Sequence, residues 1–499
     1  MPTSVDLIHL LQPLSGVRTD ISRTGIPDAA AYYSENIARL AGKVVLRPGL
    51  IKLSDSLTGV VTSIMSFISE VFEKTTIVQT TRKIYRYDYN TNQFIDISGT
   101  VTLGGASQFL SQMRVFFRND ASAVISVNGV DTPKVWQPSV GGAIRDVAGN
   151  PPVAHAVAVL ANRVIMAHDG KLISVSAFND FDAGWPSTQI VNLADTPGTI
   201  VSIVERSSLM AYIFKEDAMY EMQATGGKYP FRFEMRAAGI VGPASSQAIV
   251  TLPSGQFLYL GWDGNVYSFD GVNVQLASTA AQAVLARTAD VKHIYTSFGY
   301  FDNKLQAAVF FFPDMRWEWP SMAIALTYPD MAVFPFRFNF PITAAAIVPL
   351  ITPLTWEQIV AIWGPDRTWE AMVDEDEVPV FGSDGKLYSF NGLNDDGTPI
   401  DMRIESKAVP NDGSWHTLHT TEHMFSGTLI NPQVEIVGSE IGEDESLLDA
   451  SPLFNAQLWR YESQHRVTAR TFAFNLTAQL NSQIEYKGSM LSLARAWRR

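Results

Sequence analysis

Two eleven-residue stretches, GWDGNVYSFDG at Gly261–Gly271 and GSDGKLYSFNG at Gly382–Gly392, share seven positions. Each sets Asp-Gly before an aromatic alternation. This is a strong hairpin signal, because the tight turns that match strand twist need residues tolerant of positive φ. FLYL before the first copy suits a strand buried on both faces, and VYSF after it puts Tyr267 and Phe269 on one side. Asp263-Gly264 and Asp384-Gly385 therefore read as corners of a scaffold, not as paired acids of a ligand site.

The same texture, a small or polar residue followed by an apolar and then an aromatic or aliphatic one, recurs along the chain. It is found at Lys83-Ile84-Tyr85, Lys134-Val135-Trp136, Lys171-Leu172-Ile173 after Asp169-Gly170, Ala218-Met219-Tyr220, Asn265-Val266-Tyr267 and Lys386-Leu387-Tyr388, with a weaker copy at Lys304-Leu305. From Tyr85 to Tyr267 the spacings are 51, 37, 47 and 47 residues. Hairpins at such a period are the signature of β-propeller blades, here six or seven, and a pair of β-sandwiches is the competing architecture.

The pattern divides the chain into an N-terminal arm over 1–60, a propeller over 61–400 and a C-terminal β-sandwich-like domain over 401–499, to which the arm is a candidate contributor. Within the arm, Pro27 suits the first turn of a short helix. Residues 313–380 depart in character and read as an insertion. They hold Trp356, Trp363 and Trp369, whose helical spacing marks packing or a subunit interface more than a ligand cage.

Composition narrows function by exclusion. With 46% hydrophobic residues, 28 Phe and 16 Tyr, the chain suits many short buried strands, and the absence of cysteine removes disulfides, thiolate metal sites and a Cys nucleophile. No stretch reaches the roughly 18 apolar residues of a membrane helix, and the start lacks the form of a secretory signal, so a soluble cytoplasmic product is expected. A net charge of −13 argues against gripping nucleic acid, which needs clustered cations. The one basic cluster, Arg495–Arg499, reads as a solvated tail or a subunit contact.

Catalytic and metal-binding signatures are missing. There is no phosphate loop, dinucleotide fingerprint or nucleophile elbow, and Glu234 between Arg232 and Arg236 reads as a solvated strand face. His416, His419 and His423 would converge on a metal only from a helix. Their Thr-rich surroundings favour a strand, where His416 and His419 point to opposite faces. No cofactor and no metal site is expected.

Several segments taken together resemble the tail nozzle proteins of short-tailed bacteriophages, also called tail tubular protein B or packaged-DNA stabilisation proteins. The matching segments are GVRTDISRTGIPDAAAYYSENIARLAGKVVLRPGL with Glu35-Asn36 and Arg47-Pro48-Gly49, then LANRVIMAHDGKLISVSAFNDFDAGWP with Ser176, Asn179-Asp180 and Trp185. MAYIFKEDAMYEMQATGG and the TWEQI…TWEAM…FGSDGKLYSFNG run extend the match. The resemblance implies a virion structural protein without catalytic residues, made in the host cytoplasm and carried in the virion tail. It implies a homo-oligomeric, six-fold ring below the portal and adaptor, with genomic DNA passing through the lumen without sequence-specific binding and with tail fibres or tailspikes attached outside. From the residues alone, the alternative is a soluble propeller that binds peptide or carbohydrate.

Overall fold

The computed structural model describes residues 5–495 apart from 70–73, 90, 92, 106–110, 119–120, 227–228, 352–374, 411, 413, 440–444, 458–459 and 483. Seven four-stranded antiparallel sheets follow one another along the chain, six of them meanders of sequential strands. They span 61–96, 112–146, 156–192, 200–238, 249–276 and 298–337 as blades 1 to 6. Blade 7 comprises 344–392 with Gly49–Ser54 as its fourth strand. First strands of successive blades adjoin except those of blades 4 and 5, which meet through a shared aromatic cluster, and Val61–Ile68 of blade 1 touches both Gln112–Arg118 of blade 2 and Ala344–Ile351 of blade 7. The ring is therefore closed. The chain is an all-β, seven-bladed propeller with two further sheets.

Closure uses a strand that precedes all the others of the ring in sequence. Gly49–Ser54 pairs with Leu387–Gly392, with Tyr388 opposite Lys52, so the ring is locked by backbone hydrogen bonds between distant segments. Between blades, apolar side chains interdigitate. Tyr212 and Phe214 of blade 4 meet Phe257 and Phe269 of blade 5 edge to face, with Tyr212 and Phe269 centroids 5.1 Å apart, the geometry that aromatic quadrupoles favour.

The described parts of 313–380 are not an insertion. Ala307–Pro313, Pro320–Thr327 and Val333–Arg337 are strands of blade 6, and Ala344–Ile351 and Glu375–Gly382 open blade 7. It looked foreign because Pro320–Thr327 is buried at all eight positions and so carries no alternation. The weak copy at Lys304-Leu305 sits in the first corner of blade 6, between Phe298–Asp302 and Ala307–Pro313, not in the corner the repeat marks elsewhere. Trp356, Trp363 and Trp369 lie outside the described residues.

The remaining strands form two sheets from both parts of the chain. One runs in the order Ile37–Leu40, Lys43–Leu46, Glu485–Arg495, His416–Phe425, Arg460–Ala469, Phe454–Gln457, with Val5–Leu10 also on Glu485–Arg495. The other runs Tyr33–Glu35, Ile400–Glu405, Thr471–Leu480, Ile430–Ser439, Ser446–Pro452. They face each other over a shared core that includes Leu418, Leu491, Ile436 and Leu476. The N-terminal arm thus splits: its strands up to Leu46 join these sheets, and Gly49–Ser54 joins blade 7. No helix starts at Pro27, where the chain turns and then enters Tyr33–Glu35. Asn36 adopts φ 63°, so the segment breaks into two strands, Tyr33–Glu35 pairing with the distant Ile400–Glu405 and Ile37–Leu40 with the adjacent Lys43–Leu46, a tertiary override of local propensity. Among the described residues an α-helix forms at Thr279–Thr288, capped by Ser278, whose hydroxyl accepts from Ala281 N.

Candidate functional site: propeller axis and junction

Three of the chain's Asp-Gly pairs, those tied to the repeat, occupy one structural position. Asp169-Gly170, Asp263-Gly264 and Asp384-Gly385 each join the second and third strands of blades 3, 5 and 7. Only the first has positive φ at both residues, 45° and 75°. At the second, Gly264 alone is left-handed, and the Asp263 carboxylate organises the loop: it accepts from Asn265 N at 3.1 Å, Asn265 Nδ2 at 2.8 Å and the Tyr267 hydroxyl at 2.6 Å. The expected like-for-like turn chemistry is thereby corrected. Asp169 is exposed beside His168, and Gly385 N donates to Gly59 O.

A second candidate lies where the first strands of the blades converge. A cleft of about 390 Å³ is lined by first-strand residues of every blade but the third and by the entry of blade 5, among them Met65, Arg114, Glu205, Gln247 and Gly299. Two glutamines bridge it. Gln112 of blade 2 donates to Ser202 Oγ at 3.1 Å and Ser246 O at 3.2 Å, and accepts from Val157 N at 3.0 Å, so one side chain ties blades 2, 3 and 4 to the entry of blade 5. Gln247 donates to Thr62 O at 3.0 Å and Ser111 O at 2.6 Å, reaching back to blade 1. Arg114 and Glu205 pair at 3.2 Å, and Glu205 also accepts from Val159 N at 2.9 Å. These engaged polar groups are set among apolar ones such as Met65, Met113 and Ile249. Sequence reasoning missed Gln112 and Gln247. The available signal was the dipeptide Ser-Gln, Ser111-Gln112 and Ser246-Gln247, at the entry of two blades.

At the junction of propeller and paired sheets, Arg47 is fully buried in the link between Lys43–Leu46 and Gly49–Ser54. Its guanidinium donates to both oxygens of Asp395, at 3.0 and 2.6 Å, and to Asn36 Oδ1 at 2.8 Å, Pro48 O at 2.9 Å and Arg337 O at 3.0 Å. It lies 4.4 Å from the Phe338 ring centroid. A planar, multiply donating cation is the side chain that can satisfy so many buried acceptors at once. Asn36, left-handed, also donates to Asp401 O at 2.6 Å. Asn36 and Arg47, quoted above as sequence texture, are thus one buried pin.

The histidines do not converge. His416 and His423 are buried on Phe425's face and His419 is exposed, the phase being kept by a bulge between Leu418 and Thr420. His423 Nδ1 meets Ser489 Oγ at 2.6 Å, while His465 pairs with Asp449 at 2.6 Å. Burial, with neighbouring His465 adding to it, pushes the His423 imidazole down to about 3. Among the described residues no cluster of three or more His, Asp or Glu could hold a metal ion.

Blade 3 does carry a Ser-His-Asp chain that the sequence reading passed over: Asp169 Oδ2 to His168 Nδ1 at 2.9 Å, and His168 Nε2 to Ser174 Oγ at 2.8 Å. Ser174 is 3% exposed and sits mid-strand, paired with Met166 and Ile190. A nucleophile must reach substrate, so this chain is packing. Lys215, buried in blade 4, donates to Leu193 O, Thr196 O and Thr196 Oγ1, and its amine holds the loop after blade 3.

No protein-family model matches this chain, and no curated protein matches it. Among solved structures, BamB from Moraxella catarrhalis is similar over 72% of this chain and 96% of its own, at 12% identity and a TM-score of 0.39. At that level of likeness the propeller assignment rests on this chain's own strand order and ring closure. No helix among the described residues is long and apolar enough to cross a membrane.

Proposed function

We propose that this protein is a scaffold that works by assembly and not by catalysis. The observation that carries this is the use of its buried polar chemistry. Arg47, Gln112, Gln247, Lys215 and the Asp169-His168-Ser174 chain all hold strands or blades together. The finer reading is a subunit of the tail nozzle of a short-tailed bacteriophage: a ring below the portal and adaptor that retains packaged DNA and carries fibres or tailspikes. It is supported by the resemblance, whose Asn36 and Arg47 form the pin at the junction, and by an acidic chain suited to a lumen that DNA must pass without sticking. Cryo-electron microscopy of the particles tests it: a ring of this fold at the tail is expected, and its absence from the virion overturns the reading.

The axial cleft favours a second reading, a propeller that takes peptide or carbohydrate on its central face. A thermal-shift screen of glycans and peptides decides between the two. A ligand whose stabilisation disappears in Gln247→Leu supports the binding propeller.

A further inference from the structure

The two-sheet unit has two ends of different character. At one, Tyr33–Glu35 and Ile37–Leu40 pack on Val333–Arg337 of blade 6. At the other, Phe454–Gln457 ends one sheet and Ser446–Pro452 ends the other, each with one edge unpaired among the described residues. Unpaired edges invite another strand unless they are blunted. Here they carry large apolar groups instead, Phe454 at 67% exposure and Leu447 at 62%. Beside them opens a cleft of about 490 Å³ lined by Ser451, Pro452, Phe454, Glu462, Ser463 and Gln464.

The segment that forms this end is also acidic in sequence. Residues 431–464 hold seven carboxylates, Glu435, Glu440, Glu443, Asp444, Glu445, Asp449 and Glu462, against Arg460 alone, a net of −6 within a chain of −13. Its complement is the one basic cluster. Arg495 closes Glu485–Arg495 with its side chain 68% exposed, and Ala496-Trp497-Arg498-Arg499 follow. An aromatic flanked by arginines matches a cleft walled by Phe454 and Glu462.

The segment cannot reach that cleft in its own copy. Arg495 lies opposite His416, which pairs with Ala469, whereas Glu462 lies opposite Glu422. To Phe454, which lies opposite Glu462, the separation is three strand spacings, about 14 Å, across and seven residues, about 23 Å, along. Four extended residues span about 14 Å.

We propose that Arg495–Arg499 of one copy docks in the Phe454–Glu462 cleft of a second copy, Trp497 against Phe454 and the arginines against the carboxylates. The contact is head to tail, so it closes into a ring or runs on as a filament, depending on the rotation. The inference rests on the assembly reading only in that copies meet; it does not require a phage tail.

The test uses a fluorescein-labelled peptide of Leu493–Arg499 and the full chain, read by anisotropy. Saturable binding is expected, weakened at least tenfold by Phe454→Ser combined with Glu462→Lys and severalfold by raising salt from about 50 to 300 mM. Both positions lie at the surface, and an unchanged melting curve for the double variant shows that the fold is kept. Equal binding of a peptide carrying Trp497→Ala, or no effect of the double variant, overturns the docking site. Sedimentation of a chain lacking 496–499 separates this inference from the ring. Rings that form equally well without the segment overturn the docking and leave the assembly reading intact; peptide binding by a chain that forms no ring in the virion supports the docking and overturns the nozzle.

Discussion

The propeller and the paired sheets solve the same problem, covering strand edges, with opposite use of the chain. In blades 1 to 6 every strand pairs with its neighbour in sequence, so each blade is complete within a short stretch. In the paired sheets Val5 lies opposite Ala494 and Tyr33 opposite Glu405. The first kind of pairing loses little loop entropy and can start anywhere along the repeat; the second must wait until the ends of the chain are brought together. Arg47 sits where the two meet, between a strand of one unit and the closing strand of the other, so ring closure and sheet assembly are tied through one residue. The difference teaches that this propeller is completed by the same N-terminal segment that completes its companion.

The sharpest way to break that link is Arg47→Met. It leaves the Asp395 carboxylate, 3% exposed, without its cation and strands the acceptors Asn36 Oδ1 and Arg337 O. Removing one partner of a buried ion pair typically costs about 3–5 kcal/mol. Urea unfolding followed by far-ultraviolet circular dichroism is expected to show that loss and to resolve one transition into two. Adding Asp395→Leu should restore much of the stability, because no lone charge then remains buried. An Arg47→Met chain as stable as the wild type would mean that the pin couples nothing.

Acid separates the two units next. His423 titrates at about 3 in the fold against about 6.5 when free, so the unfolded chain takes up the proton first as pH falls. Its contribution is fully present above pH 6.5 and is lost between about 6.5 and 3, on the order of 2–3 kcal/mol by pH 4.5. His155 in blade 3 is also pushed down by burial, so the propeller weakens in acid too. The comparison is therefore made by substitution. His423→Phe, beside Phe474 at 4.7 Å, is expected to flatten the pH dependence of the melting temperature between pH 6.5 and 4.5, and an unchanged slope would assign acid sensitivity to the propeller.

Within the propeller, Gln112→Leu tests the axial bridge. It removes the acceptor of Val157 N and the donor to Ser202 and Ser246. An unpaired buried amide costs about 1–3 kcal/mol. A loss of that size, with the acid-sensitive step of the paired sheets unchanged, is the expected outcome by the same urea measurement.

Legibility in the sequence followed the same division. The repeated texture marked the third strand in six of seven blades, since Ile84-Tyr85, Val135-Trp136, Leu172-Ile173, Met219-Tyr220, Val266-Tyr267 and Leu387-Tyr388 all lie there. Blade 6 escaped because Pro320–Thr327 is buried throughout and is entered by a turn at Asp314. The pairing of Gly49–Ser54 with Leu387–Gly392 left no local trace, because neither strand contains the turn that would announce the other. Asn36 and Arg47 were visible only as family texture. That a buried guanidinium joins them depends on three segments meeting, which no window of sequence displays.

The smallest effect is expected at the feature that first announced the propeller. Asp263 is a turn residue, yet its carboxylate accepts three hydrogen bonds where an asparagine oxygen and amide offer one acceptor and one donor group. In Asp263→Asn the side-chain oxygen can keep Asn265 N, and the Tyr267 hydroxyl can turn to accept from the new amide, which leaves Asn265 Nδ2 to seek water at this partly exposed corner. A cost of about 1 kcal/mol follows, a shift of a few degrees in melting temperature with assembly retained. Asp263→Ala removes every acceptor and should cost more than Asn, whereas the exposed Asp169→Asn should cost less, its turn being held by backbone φ and not by its carboxylate. If Asp263→Asn proved as harmful as Arg47→Met, the corner would have a role beyond the turn, and the repeat would mark sites as well as blades.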